Sequence, residues 1–201
     1  MTDNYLIRMA NVSDAPGILA IYSYYVNETP ITFEYQIPSV DDMGKRIGAI
    51  ISAYPYLVCL QNDNIIGFAY AHKQKERAAY QWNAECSVYL ESSSCGRGIG
   101  KALYTALIKI LILQNIQNVY AGIASPNPRS ERLHQSLEFT KSGIYHETGF
   151  KRNQWHDVMW FEKQIGRHEL DPAPFIEVGE IQSVALDDIF RQCELMMDTS
   201  L

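Results

Sequence analysis

The chain has 201 residues, is 47% hydrophobic, and carries a formal charge of −6 with a pI near 5.3. That size favours one globular domain with a substantial core, and the acidic balance argues against a nucleic-acid binder. The sequence shows no charged-then-apolar leader and no apolar run long enough to span a bilayer. Its four cysteines (Cys59, Cys86, Cys95, Cys193) have neither paired nor metal-ligand spacing. A reducing, cytoplasmic setting with free thiols, no membrane and no metal is expected.

In chain order, residues 5–9 read as a short strand. Ser13 is the expected N-cap of a helix to about Asn27, with Pro16 tolerated in its first turn. Residues 27–38 form a loop rich in Thr, Pro and aromatics, and residues 40–52 a second helix. Residues 56–61 and 65–72 are strands joined at Asn62-Asp63-Asn64, a hairpin signal. Residues 83–90 make the next strand, followed by a glycine-rich loop and a helix over 102–113. A strand over 118–124, a helix over 128–137 and strands over 139–146 and 156–163 close the body. The order β-α-α-β-β-β-α-β-α-β-β predicts an α/β fold, a mixed central sheet flanked by helices on both faces.

Beyond residue 164 the composition changes. Eight acids and two bases lie in 165–201, so the net charge sits there and the body is formally neutral. Asp171-Pro172-Ala173-Pro174 reads as a linker. Leu186, Ile189, Phe190, Cys193 and Met197 recur at helical spacing, predicting a short amphipathic helix. The expected organisation is a domain over 1–164 and an acidic tail over 165–201.

The stretch Cys95-Gly96-Arg97-Gly98-Ile99-Gly100-Lys101 lies between a strand and a helix. Alternating glycines remove side chains where a backbone must approach a ligand closely. The following helix directs its free N–H groups and positive dipole end at the loop, a seat for phosphate or pyrophosphate. Tight turns also use glycine, so the loop alone does not name a ligand.

Several segments together resemble the GNAT-fold N-acetyltransferases that use acetyl-CoA, and within them the phosphinothricin and methionine-sulfoximine acetyltransferase subgroup. They are Thr32-Phe33-Glu34, Gly67-Phe68-Ala69-Tyr70-Ala71, the run from Tyr80-Gln81-Trp82 to Ser87-Val88-Tyr89, the glycine loop, Pro126-Asn127-Pro128, Gly149-Phe150-Lys151 and Trp155-His156-Asp157-Val158. The resemblance spans roughly residues 3–164. It departs at Cys95, where the family usually has Gln or Arg, and at Glu138, where a Leu-Gly-Phe pattern usually has glycine.

The resemblance implies that Gly96, Arg97, Gly98, Ile99, Gly100 and Lys101 hold the pyrophosphate. Val88, Tyr89 and Leu90 would pair with the pantetheine arm, with Asn127 and Ser136 contacting the far end of the cosubstrate. Acetyl transfer requires the amine to lose a proton, the developing oxyanion to be stabilised and the thiolate to leave. Glu85, a carboxylate in a largely apolar strand, is the expected base, acting through a water; the plainer reading is a solvent-facing or arginine-paired glutamate. The backbone N–H of Tyr89 or Leu90 is the expected oxyanion donor. His134, seven residues after Asn127, takes the place of a family tyrosine that protonates the thiolate; its alternative is a helix-surface histidine lining the cosubstrate. Lys75 and Arg77 would grip the carboxylate and the phosphinate or sulfoximine of an amino-acid analogue, unless they are a solvated basic hairpin. Phe33, Tyr80 and Tyr89 would wall the acceptor pocket, or are plain core. His156 and Asp157 read as structural.

The leading expectation is therefore N-acetylation of the α-amine of a small amino acid or analogue by a homodimeric enzyme. Acetylation of protein N-termini or other amines, and a non-catalytic acyl-CoA sensor, are the alternatives.

Overall fold

The computed structural model of the protein describes residues 5–197. Its strands are β1 (Tyr5–Met9), β2 (Tyr56–Gln61), β3 (Asn64–Lys73), β4 (Asn83–Leu90), β5 (Asn118–Ser125), β6 (Thr140–Lys151) and β7 (Gln154–Gln164). The helices are α1 (Ala15–Glu28), α2 (Val40–Ile51), α3 (Ile99–Leu113), α4 (Pro128–Ser136) and α5 (Ser183–Glu194). The sheet runs β1-β2-β3-β4-β5-β7-β6, antiparallel except where β4 meets β5. α1 and α2 cover one face around Ile18, Ile47 and Phe68; α3 and α5 cover the other around Leu103, Leu107 and Phe190.

Local chemistry accounts for most boundaries. Asn62 and Asp63 both take positive φ (50° and 66°), the pattern of a two-residue hairpin turn whose twist matches its strands. Ser39 caps α2 through Asp42 N–H at 3.1 Å. At α1 the expected Ser13 cap is replaced: the Asn11 side chain caps a short 3-10 turn over Val12–Asp14, and that turn leads into the helix. Arg8 grips Asp14 with two bonds of 2.7 and 2.8 Å, and holds its carboxyl below the usual carboxylate range. Glu138 ends α4 without glycine by adopting φ +64° itself, with its carboxylate 3.0 Å from Lys163 Nζ.

The segment read as a linker is a strap laid along the body. Trp82 Nε1 donates to Ala173 O at 2.8 Å, and Asn115 Nδ2 to Pro174 O at 2.7 Å. Gln114, fully buried, spends both amide hydrogens on Ala53 O and Ile176 O. α5 then packs on α3 and shields the edge strand β1, where Ile7 N–H donates to Glu194 Oε1 at 2.7 Å. Ile189, Phe190, Cys193 and Met197 join the same buried cluster as Ile7 and Leu103.

The opposite edge is different. β6 is exposed along most of its length and slips register between Tyr145 and Gly149. Asp157 fastens the slipped residues by accepting from Glu147 N–H at 2.8 Å, with His146 Nδ1 3.1 Å away.

Candidate active site

β4 and β5 pair over three residues only: Asn83 with Asn118, Ala84 with Val119, and Glu85 with Tyr120. Beyond Glu85 the strands part. Tyr104 of α3 explains how the opened β4 edge is satisfied. Its fully buried hydroxyl lies 3.2 Å from Cys86 O and 2.9 Å from His134 Nε2. It takes the position a β5 N–H would occupy in a continuing ladder. Residues Cys86 to Leu90 on one side and Ala121 to Ala124 on the other wall a cleft of about 550 Å³.

The glycine loop closes one end of the cleft through Cys95, Gly96, Gly98, Gly100 and Lys101. Gly96 and Gly98 take φ +90° and +81°, where L side chains are strained. A Cβ at Gly96 would meet nothing within 4 Å, so backbone there is open to an approaching group. α3 starts at once, presenting its unpaired first-turn N–H groups. The Ile99 side chain is fully buried core, leaving its backbone alone to contribute, and Arg97 forms no part of the wall.

On the other side, Asn127 caps α4 by accepting from Ser130 N–H at 3.2 Å. Ser136 is exposed at the rim and donates to Leu133 O. His134, 3% exposed, donates from Nδ1 to Ser130 O at 2.8 Å, because a carbonyl can only accept. Its Nε2 then carries a lone pair 2.9 Å from the Tyr104 oxygen, so the single phenolic proton is shared between that nitrogen and Cys86 O. Burial lowers the His134 pKa, so the ring is neutral near pH 7. His134 is therefore a buried cleft residue, neither exposed on the helix nor itself poised to donate.

Leu90 N–H points across the cleft to Tyr25 OH at 3.3 Å, while Glu91 N–H returns to Ile66 of β3. By strand alternation the Tyr89 N–H is turned to β3, so of the two expected oxyanion donors Leu90 faces the cleft. The Tyr89 side chain packs edge-on against Tyr22 and Tyr25, and stacks on Phe68.

Glu85 sits at the apex, the last paired residue before the cleft wall begins at Cys86. It is half-buried opposite His72. Burial raises its pKa and the nearby His72 opposes that rise. Lys75, Arg77 and Tyr80 lie on the β3–β4 turn, which leaves β4 two residues before Glu85. Lys75 Nζ sits 4.7 Å over the Tyr80 ring, and none of the three walls the cleft. Phe33 packs against Gly149, where a Cβ would overlap its ring, and near His156. Its loop is fixed by Glu34: burial pushes that carboxyl up, but bonds from Arg46 (2.6 Å) and Tyr22 (2.8 Å) leave it below the usual range. Lys151 Nζ adds a bond to Thr32 O at 2.7 Å.

The structure thus gathers Val88, Leu90, the glycines, Asn127 and His134 around one cleft, sets Glu85 one residue before its wall, and leaves the acceptor candidates on a neighbouring turn. Sequence reasoning missed Tyr25, Tyr104, Arg129 and Arg132, all on the cleft wall. A tyrosine within the aliphatic stripe of α3 was the available signal, since a buried phenol needs a partner. Among the described residues no group of His, Cys, Asp and Glu could hold a metal ion, and no helix is long and apolar enough to cross a membrane.

Comparison with known proteins places this architecture in a family. Residues 7–160 match the model of the acetyltransferase (GNAT) domain. The chain belongs to the GNAT acetyltransferase family. It is 34% identical to a phosphinothricin N-acetyltransferase of Streptomyces viridochromogenes, over 84% of this chain and 90% of that one. It is 28% identical to an L-methionine sulfoximine/L-methionine sulfone acetyltransferase of Salmonella typhimurium, over 83% and 98%. A phosphinothricin acetyltransferase from Sinorhizobium meliloti, solved in complex with AcCoA, superposes with a TM-score of 0.81 at 32% identity, covering 88% and 96% of the two chains. The protein is an N-acetyltransferase of the GNAT fold, as the sequence resemblance implied.

Proposed function

We propose that this GNAT enzyme uses acetyl-CoA to acetylate the α-amine of a small amino acid or analogue of the phosphinothricin or methionine-sulfoximine type. The observation that carries the reading is the cleft between β4 and β5, with a glycine-floored anion seat at one end and Glu85 at its apex. The AcCoA complex of a 32% identical relative and the names of the relatives support it.

Acetyl-CoA supplies an activated thioester, so the chain has only to position and to move protons. Gly96, Gly98 and the opening N–H groups of α3 suit a pyrophosphate, and the unpaired edge of β4 from Val88 suits an amide-bearing arm. Leu90 N–H, aimed into the cleft, would meet negative charge developing on the acyl oxygen; such a donor is worth roughly 3 kcal/mol. Glu85 takes the amine proton through a water, since the cleft wall begins one residue beyond it. Tyr104 O–H would protonate the leaving sulfur, with the lone pair of His134 Nε2 holding the phenol in place and the phenolate taking its proton back from solvent. The exposed aromatics of β6 and β7 (Tyr145, Phe150, Trp155) support the homodimer, and light scattering that finds only monomer would remove it. The free thiols support a cytoplasmic setting.

Release of free thiol from acetyl-CoA in the presence of methionine sulfoximine, methionine sulfone or phosphinothricin is the direct test. No release across these and the common amino acids would end the substrate assignment. Arg77→Ala should raise the acceptor KM about ten-fold or more, as expected for losing a charge-assisted pair, and leave the acetyl-CoA KM in place. An unchanged acceptor KM would make the β3–β4 turn a solvated hairpin.

A further inference from the structure

The tail beyond the family match touches the anion seat. A Cβ built on Gly98 would lie 2.9 Å from Met196 O and 3.5 Å from Met197 Cα. Gly98 is the N-cap of α3 and one of the two positive-φ glycines of the loop, whereas its companion Gly96 has open space beside it. One glycine is free for a ligand and the other is backed by the tail.

The backing is anchored. Met197 is 5% exposed within the main core, its Sδ 3.8 Å from Cys59 Sγ. One turn earlier Glu194 holds Ile7 N–H, and Gln192 accepts from Lys109 Nζ of α3 at 2.7 Å. The segment is thus tied both to the helix that carries the seat and to the sheet beneath it.

We infer that Met196 and Met197 are positioning residues for cosubstrate binding, buttressing Gly98 so that the pyrophosphate loop is held in its binding conformation. The inference rests on the acetyl-CoA reading and adds to it a part of the chain outside residues 7–160. The physical reason is preorganisation. A glycine-rich loop has much backbone freedom to lose, and a buttress that removes it beforehand leaves less to be lost on binding. No contact with the reacting atoms is involved, so turnover at saturation is untouched.

The test is a chain ending at Glu194, compared with the full chain by calorimetric binding of acetyl-CoA, steady-state kinetics and thermal melting. The Kd and KM for acetyl-CoA should rise about five- to ten-fold, within the usual range of coupling between sites, with kcat and acceptor KM unchanged. A lower melting temperature with unchanged acetyl-CoA affinity would overturn the inference, leaving the tail merely structural. If the shortened chain does not fold, hydrogen exchange on the full chain decides. Coupling is reciprocal, so saturating acetyl-CoA must slow exchange over residues 183–197; no slowing there overturns it. A full chain that binds no acetyl-CoA defeats the functional reading itself, a distinct result.

Discussion

Glu85→Gln is expected to reduce kcat by about 10²- to 10⁴-fold, the usual worth of a positioned general base, while the Kd for acetyl-CoA stays the same. The amide keeps the shape of the side chain at the β4–β5 apex and removes its ability to take a proton. Affinity should hold because the glycine loop and β4 edge lie on the other side of that apex. The wild-type pH profile carries the same signature. Burial favours the neutral form of Glu85, so the base is lost at a higher pH than an ordinary carboxylate of about 4.3. Activity should therefore fall as pH drops through that raised value, and the limb should be absent from the Gln variant. Turnover within two-fold of wild type would remove Glu85 from proton transfer and leave the amine to lose its proton to solvent.

The second large effect concerns stability. Phe190→Ala should destabilise the protein by about 3–5 kcal/mol, the range for deleting a buried aromatic. For a chain of this size that corresponds to a fall in Tm of about 6–20 °C. Phe190 is 7% exposed and belongs to the cluster containing Leu103 and Leu107, so the cavity would open in the main core. Val184→Ala, at a 65% exposed position on the same helix, serves as the control and should stay within about 0.5 kcal/mol. Equal melting of the two variants would mean that α5 does not pack on the body.

What the sequence revealed follows from what is local. β1, β4 and the Asn62-Asp63 turn were legible because apolar alternation and turn chemistry act within a few residues. The glycine loop was legible because positive φ selects for glycine wherever the rest of the chain lies. The parting of β4 from β5 was not, because it involves Tyr104 reaching Cys86 O, and His134 reaching Tyr104, across long separations. Leu90 N–H could be singled out from Tyr89 only once strand direction and partner were known. Asp171-Pro172-Ala173-Pro174 has linker composition, yet its carbonyls serve Trp82 and Asn115, about ninety and sixty residues back by the separations in these bonds. Composition reports a segment's own preferences and is silent on what distant donors need. Glu138 broke a glycine pattern and still ended its helix, at a strain of roughly 1–2 kcal/mol, beside an ion pair with Lys163.

The bond from Ile7 to Glu194 joins residues 187 apart. A chain leaving the ribosome presents β1 first and cannot shield its outer edge until α5 has been made. While the chain grows by the 187 residues from Ile7 to Glu194, at about 5–20 residues per second, Ile7 keeps an unpaired N–H beside apolar neighbours. The nascent protein is thus exposed to strand-to-strand association along β1 until α5 arrives.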